Sequence, residues 1–384
     1  SGDSAMKILH VHENAHFHGG VEQIHFDTAR GLSANGWEQA LLYQNQDSDD
    51  DFKKAFDMTA SDRSIIDEFD PDAVLVHKVS DAGLISSLTY KKPTAQMVHD
   101  HDIVCPRSHK YFPGSHKVCT KPAGLSCYQH LCFVQRNTNG SILPITLKGT
   151  GDVRKQIRAG KGLRRYLANS QFMKDELVMN GIDAERINVI HPVPSALTSP
   201  AFQPMQDKRE ILYVGQVIRG KGVDLLLKSL VHLTGDWHTT IVGDGNHMDE
   251  CRQLSSRLGI ESRVTFTGRV PHEKLEGFYR AARVVVVPSR WPEPFGMVGI
   301  EAMSRGRPVV AFDNGGISDW LRHESTGMLI TNGDLQSMAM AIGGFLDNRN
   351  MAGQFGRNGV ARVKHFFTHA SYLNRMKQEM EGIL

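Results

Sequence analysis

Two glutamates in the second half of the chain, Glu293 and Glu301, are separated by seven residues and flank a candidate ligand site. A run of valines ends shortly before them, so Gly296 is expected to open a helix. The first amides of a helix have no partner inside it and, with the helix dipole, attract anions. We therefore expect a diphosphate there, with Glu293 beside sugar hydroxyls and Glu301 beside a ribose. The competing interpretation is a surface helix with two solvated carboxylates. The amides that would hold the diphosphate belong to Phe295, Gly296, Met297 and Val298.

Length and charge narrow the class of protein. A chain of 384 residues is too long for one ordinary core, so two domains are expected. The formal net charge is only +2, which argues against a nucleic-acid partner and favours a small-molecule ligand. No apolar run is long enough to span a bilayer and the N-terminus does not resemble a signal peptide, so we expect a cytoplasmic location.

The elements that must position these residues are parallel strands alternating with helices. Short β-branched runs such as Ala73–Val76, Glu210–Val214 and Val284–Val287 indicate strands buried on both faces. The Pro- and Ser-rich stretch Pro192–Pro200 marks the boundary between two α/β domains. We predict an N-terminal acceptor-side domain over 6–195, a nucleotide-sugar domain over 196–365, and a C-terminal helix over 366–384 that crosses back to the first domain.

The Glu293–Glu301 stretch resembles the Glu-seven-residues-Glu motif of retaining glycosyltransferase family 4. Further segments resemble elements of that family and follow in its order along nearly the whole chain. They are His18–Glu22, Val98–Asp100, Leu167–Phe172, Val214–Gly222, Val242–Gly245, Gly268–Pro271 and Asn314–Gly316. The resemblance implies an α/β fold of the GT-B type, in which two Rossmann-like doubly wound domains face each other across a cleft.

The resemblance also implies roles for individual residues. His99 would lie over the donor sugar near the reacting carbon, and Lys221 and Arg219 would stabilise the leaving diphosphate. Family members commonly place an arginine directly after Gly215, where this chain has Gln216, so whether Arg219 supplies that guanidinium stays open. The implied catalytic residues are His99, Glu293, Lys221 and Arg219. The implied donor-binding residues are Gly19, Gly20, Gly215, Arg219, Lys221, Gly243, Val270, Glu293, Phe295, Gly296, Met297, Val298 and Glu301.

The predicted function is therefore transfer of a sugar from a nucleoside-diphosphate donor, with UDP favoured as the carrier, and with retention of configuration. The acceptor would be a glycan, a lipid-linked or a small molecule, and neither a cofactor nor a divalent metal is expected. Two alternatives stay open: a non-catalytic nucleotide-sugar-binding protein, which Gln216 would favour, and a GT-B sugar-nucleotide epimerase. A dinucleotide-dependent oxidoreductase is disfavoured, because no Gly-x-Gly-x-x-Gly follows a strand with an acidic residue at the right distance.

Three other features have competing interpretations. Four cysteines, Cys105, Cys119, Cys127 and Cys132, crowd one region and could bind zinc, pair or stay free, with a long inserted loop the favoured interpretation. The acidic run Asp47–Asp51 resembles a cation-binding pattern but is expected to cap a helix. The basic segment Lys148–Arg165 could contact an anionic membrane, recognise a phosphorylated acceptor, or form a solvated helix face.

Overall fold

The computed structural model of the chain describes residues 5–17, 19–45, 48–115, 117–136, 145–197 and 199–384. His18, Asp47 and Thr198, which belong to motifs singled out above, lie outside these ranges. The chain forms two compact units. The first comprises residues 1–115, 119–195 and 369–384, and the second comprises 116–118 and 196–368.

The first unit is built on a parallel sheet. Its strands are β1 (Lys7–His12), β2 (Glu38–Tyr43), β3 (Met58–Ala60), β4 (Ala73–Val76), β5 (Thr94–Val98), β6 (Val134–Arg136), β7 (Ile145–Leu147), β8 (Arg165–Ala168) and β9 (Ile187–Val189). The parallel strands lie in the order β3-β2-β1-β4-β5-β8-β9, while β6 and β7 pair antiparallel outside that sheet. The order reverses direction beside β1, which is where a doubly wound fold binds its ligands.

Helices of the first unit connect these strands. They are α1 (Gly20–Ser33), α2 (Asp50–Lys53), α3 (Ile65–Phe69), α4 (Ala82–Lys91), α5 (Leu125–Gln129), α6 (Thr150–Ala159), α7 (Gln171–Met179) and, at the C-terminus, α15 (His369–Glu381). Ser170 caps α7 by accepting a hydrogen bond from the Met173 amide at 3.1 Å, as predicted. Asp49 caps α2, which agrees with the capping interpretation of the acidic run.

The second unit has the strand order of a dinucleotide-binding fold. Its strands are β10 (Glu210–Val214), β11 (His238–Val242), β12 (Val264–Gly268), β13 (Val284–Val287), β14 (Val309–Phe312) and β15 (Gly327–Ile330). They lie in the order β12-β11-β10-β13-β14-β15, all parallel. Its helices are α8 (Val223–Leu230), α9 (Met248–Arg257), α10 (Leu275–Ala281), α11 (Met297–Ser304), α12 (Ile317–Trp320), α13 (Leu335–Asp347) and α14 (Arg349–Phe366).

The apolar runs identified in the sequence form the centres of the two sheets. Every residue of β4 and of β13 is buried, because helices cover both faces of these strands. Helix α15 packs on α1, where the hydroxyls of Thr28 and Tyr372 are 2.6 Å apart. Within the described residues, no helix has both the length and the apolar content needed to cross a membrane.

Candidate functional site

The predicted donor-binding residues of the second unit lie at the carboxyl ends of its strands. Because all these strands are parallel, the loops that follow them meet at one edge of the sheet. Hydrogen bonds tie the loops together: the Gly243 amide donates to the Gly268 carbonyl at 2.9 Å, and the Gly316 amide donates to the Glu293 carbonyl at 2.7 Å. The folded sheet thus gathers residues that are far apart in sequence.

Glu293 is a buried carboxylate at this edge. Only 4% of the residue is exposed. Its carboxylate accepts hydrogen bonds from Lys221 Nζ at 2.8 and 2.9 Å, from Trp291 Nε1 at 3.1 Å, and from the Ser289 hydroxyl. Lys221 also lies over the Trp291 ring, 4.9 Å from its centroid. The side chain is therefore held in one position before any ligand binds.

The surroundings of Glu293 keep it ionised in spite of its burial. Burial acts to raise the pKa of the carboxyl group. The Lys221 ammonium and the hydrogen bonds from Lys221, Ser289 and Trp291 act in the opposite direction and prevail, so the pKa of Glu293 is lowered. A carboxylate that stays charged can accept hydrogen bonds from sugar hydroxyls.

Helix α11 begins where the sequence placed it. Gly296 precedes its first residue with φ of 89° and ψ of 66°, and no side chain caps the helix start. Glu301 lies in the second turn and accepts a hydrogen bond from the Tyr279 hydroxyl at 2.9 Å. The pKa of Tyr279 is raised well above its ordinary value by burial and by the Glu301 charge, so the phenol stays a donor. Both glutamates of the motif are thus held by protein groups.

The two cationic side chains in the loop after β10, Lys221 and Arg219, differ in their contacts. Lys221 is bound to Glu293 as described, and only 23% of its side chain is exposed. Arg219 begins the same short turn and its carbonyl accepts a hydrogen bond from the Gly222 amide at 3.2 Å, but its side chain is exposed and forms no hydrogen bond or ion pair with the described residues. Gln216 is exposed, and its carbonyl accepts a hydrogen bond from the Tyr213 hydroxyl at 2.7 Å. Neither Arg219 nor Gln216 contacts Glu293, and the role of Arg219 stays a prediction.

Close backbone contacts explain the glycines at this edge. Gly243 has φ of 134°, and a Cβ on it would lie 1.8 Å from the Gly215 carbonyl oxygen, so a side chain there would force the backbone to shift. Gly215, with φ of 146°, donates its amide to the Val242 carbonyl at 3.0 Å. Val270 follows Gly268 and is half-buried. The contacts of these residues with the phosphate and the base of a donor stay predictions.

The first-unit residues singled out in the sequence lie near β1 and β5. His99 directly follows β5 and is half-buried, and its Nε2 lies 3.1 Å from Nδ1 of His77. Burial, His12 and Lys78 lower the pKa of His99 to about 3, so its ring is neutral. Gly19 and Gly20 begin α1, and the Gly19 amide donates to Glu22 Oε2 at 3.0 Å. Glu22 thereby holds the glycine turn in place.

The cysteine region and the basic segment, which each had competing interpretations, lie in the first unit apart from residues 116–118. All five cysteines are free, and Cys105, Cys127 and Cys132 are buried. Within the described residues, no three of their sulfur atoms come within 4.8 Å of one another, unlike the ring nitrogens of His10, His25 and His77. Their region, Cys105–Cys132, is not simply a loop, since it contains α5. The basic segment forms α6, whose cationic side chains Arg154, Lys155 and Arg158 are exposed.

Several residues around the site were not identified from the sequence. Ser289 and Trp291 bind Glu293, and their nearness in sequence to the motif is a usable signal. Tyr279 binds Glu301 from a helix 22 residues earlier, and nothing in its local sequence marks it. Arg290 and Asp224 form a buried ion pair at 2.5 Å that packs beneath the same edge.

Sequence comparison finds one family model and several curated relatives that match part of the chain. Residues 198–362 match the family model described as Glycosyl transferases group 1. The chain is 31% identical over 201 residues to a lipopolysaccharide core biosynthesis mannosyltransferase, LpsB, of Rhizobium meliloti, covering 50% of this chain and 56% of that one. It is 34% identical over 217 residues to D-inositol 3-phosphate glycosyltransferase of Mycobacteroides abscessus, covering 53% and 48%. The chain spans about half the length of the curated relatives it matches.

Solved structures extend the similarity to the whole chain. HepE of Anabaena in complex with UDP superposes with a TM-score of 0.74 at 20% identity, covering 98% of this chain and 100% of that one. The apo form of the lipopolysaccharide outer core galactosyltransferase WaaB gives 0.72 at 19% identity, covering 99% and 100%. At such identities the likeness establishes the fold, which is GT-B, as predicted. The match to the Glycosyl transferases group 1 model covers residues 198–362, and it is consistent with the predicted resemblance to family 4.

Proposed function

We propose that this protein transfers a sugar from a nucleoside-diphosphate donor to a hydroxyl acceptor with retention of anomeric configuration. The observation that carries the proposal is the buried, ionised Glu293 held by Lys221 beside the uncapped start of α11. A carboxylate for sugar hydroxyls, a cation for phosphate and open helix amides are what a nucleotide-sugar requires. The family match of the same residues supports it.

In this proposal each group has a separate task. The α11 amides and Lys221 hold the diphosphate and stabilise the charge that grows on it as the glycosidic bond breaks. Glu293 orients the sugar, Glu301 holds the ribose, and His99 lies at the sugar. No residue of the site is proposed as a covalent nucleophile, so the acceptor hydroxyl would attack from the face that the nucleotide leaves, which retains the configuration.

We further propose that UDP is the carrier and that no divalent metal is required. The solved structures of Anabaena HepE contain UDP or UDP-glucose, which supports the choice of base. Lys221 and the helix start would provide the positive charge that a metal supplies in other transferases.

The acceptor is proposed to be a molecule rich in hydroxyl groups that binds in the first unit. A cavity of about 770 Å³ lies there, lined by His99, Lys78, Asp100 and Gln156 among others. Lys78 binds both Asp100 at 2.9 Å and Asp102 at 3.1 Å, so charges of both signs face the space. Paired charges with amide groups suit hydrogen bonding to hydroxyls better than binding of a strong anion.

A thermal-shift screen of nucleotides and a transfer assay test the proposal. UDP or a UDP-sugar should raise the melting temperature in the presence of EDTA, because a ligand that binds the native state stabilises it. NMR of the product should show the donor's anomeric configuration. Absence of protection by any nucleotide, or an inverted product, would contradict it. Protection without transfer or donor hydrolysis would support the non-catalytic alternative, and a changed sugar on intact nucleotide would support the epimerase.

We also propose a peripheral contact with an anionic membrane, and the cytoplasmic location stays a prediction. Beside the exposed cations of α6, the apolar side chains of Leu125, Leu131 and Leu147 are 82%, 59% and 66% exposed. Tyr128 of α5 reaches Thr150 of α6 at 2.9 Å, which brings the two groups together. The chain should sediment with vesicles containing phosphatidylglycerol more than with phosphatidylcholine alone. Equal sedimentation with both would refute the contact.

A further inference from the structure

Two buried histidines, His10 and His77, and the half-buried His99 form a continuous line of hydrogen bonds across the first sheet. His10 Nε2 lies 2.7 Å from Gln39 Oε1, His10 Nδ1 lies 3.0 Å from His77 Nε2, and His77 Nδ1 lies 3.1 Å from His99 Nε2. Gln39 belongs to β2, His10 to β1, and His77 and His99 directly follow β4 and β5. Since these four strands are neighbours in the order β2-β1-β4-β5, the line takes one residue from, or directly after, each strand.

The chemistry of imidazole gives this line a direction. A neutral imidazole carries one proton, so one ring nitrogen donates and the other accepts. The Gln39 carbonyl oxygen can only accept, so His10 carries its proton on Nε2 and accepts at Nδ1. His77 must then donate from Nε2 and accept at Nδ1, and His99 must donate from Nε2. The lone pair left over at the end of the line is on Nδ1 of His99.

Burial keeps these rings neutral, which the direction requires. His10 and Gln39 are fully buried and His77 is 3% exposed. Burial lowers the pKa of His10 to about 4, although the Gln39 hydrogen bond acts to raise it. Burial and the neighbouring histidines also place the pKa of His77 well below its ordinary value.

The surroundings of the line support hydrogen bonding over metal binding. The planes of the His10 and His77 rings are nearly parallel, with 11° between them, as expected for two rings that form a hydrogen bond through their edges. His25 stacks face to face on His77 with centroids 3.9 Å apart, and neither of its ring nitrogens has a partner among the described residues. Lone pairs lie in the ring plane, so stacked rings do not direct them at one ion.

We propose that Gln39, through His10 and His77, sets the tautomer of His99 and presents its Nδ1 as a hydrogen-bond acceptor in the first-unit cavity. His99 lines that cavity, and no described residue bonds to its Nδ1. The acceptor nitrogen binds a hydroxyl group of a sugar ligand, so the consequence for catalysis rests on the proposed function. Gln39, His10 and His77 are positioning residues, because they act through His99.

Proton positions in the ligand-free chain test the proposal directly. In ¹⁵N-histidine-labelled protein, long-range ¹H–¹⁵N correlation spectra distinguish a protonated from an unprotonated ring nitrogen. His10, His77 and His99, assigned by single substitutions, should all carry the proton on Nε2. Protonation of Nδ1 in any of the three, or a mixture at His99, would overturn the proposal. The spectra do not depend on activity. The tautomer proposal can therefore fail while the transferase proposal stands, and the transferase proposal can fail while the tautomer proposal stands.

A matched pair of variants separates the line from general packing. Gln39→Met keeps a side chain of similar size but removes the terminal acceptor, so His99 should become a mixture of tautomers. If both collective arrangements are equally populated, kcat falls by about twofold. His25→Phe keeps the stacked ring and removes no hydrogen bond of the line, so the Nε2 pattern should persist. A single unchanged tautomer at His99 in Gln39→Met, or loss of the pattern in His25→Phe, would refute the proposal.

Discussion

Replacing Lys221 by methionine removes the ammonium that holds Glu293 and lies over the Trp291 ring, while keeping an unbranched side chain. In the wild type, Lys221 Nζ lies 2.8 and 2.9 Å from the two carboxylate oxygens of Glu293. The variant leaves that buried carboxylate with Ser289 and Trp291 as its partners. Two effects should follow, one on stability and one on rate.

The size of each effect can be worked out from the contacts. Breaking a buried ion pair by removing one partner costs about 3 to 5 kcal/mol. Because 23% of the Lys221 side chain is exposed, we expect the lower end, about 3 kcal/mol. For a unit of this size that lowers the melting temperature by about 6 to 12 °C. If Lys221 also stabilises the leaving diphosphate, kcat should fall by about 100- to 1000-fold.

The assay measures both effects and separates them. Melting temperature and transfer kinetics are compared for wild type, Lys221→Met and Lys228→Met, with kinetics run well below the melting temperature of the variant. Lys228 is an exposed lysine of α8 in the same unit, so its replacement should change neither quantity. A Lys221→Met variant that loses stability but keeps kcat within about threefold would refute a role at the leaving group.

Three further predictions concern the two units separately. Gly243→Ala should lower the free energy of unfolding by about 1 to 3 kcal/mol and weaken UDP binding, because the new Cβ would meet the Gly215 carbonyl. Urea unfolding and calorimetry measure the two effects. Gly259→Ala is the control, because Gly259 also has a positive φ but has open space around it. Tyr279→Phe removes the donor to Glu301 and should raise the donor KM by about tenfold with the fold intact; an unchanged KM would argue against Glu301 as a donor ligand. The pKa of His10 is lowered to about 4, so below its unfolded pKa of about 6.5 the unfolded chain binds a proton more readily than the folded chain. The stability that the neutral, buried ring contributes is therefore present above pH of about 6.5 and is lost as the pH falls toward 4. The urea midpoint should therefore fall over that range, and a His10→Gln variant with the same pH slope would contradict this.

Local sequence was enough to predict the strands and the start of the key helix. Val284–Val287 is β-branched and continuous, so it forms a strand buried on both faces wherever the chain places it. Gly296 can adopt the left-handed conformation that precedes α11, and the spacing of Glu293 and Glu301 put both glutamates at that helix start. The same reasoning predicted the cap at Ser170. These features depend on neighbours a few residues away, which the sequence shows directly.

Only the tertiary structure decided which groups surround the glutamates and histidines. Lys221 and Glu293 are 72 residues apart, and their ion pair exists because β10 and β13 are adjacent in the sheet. Likewise Gln39 of β2 and His99, which directly follows β5, are linked only through the strand order. The sequence determined which side chains were available for chemistry and which runs would be buried. Their partners, and so their charge and tautomer, were determined by which strands pair, because long-range pairing is a property of the whole folded unit.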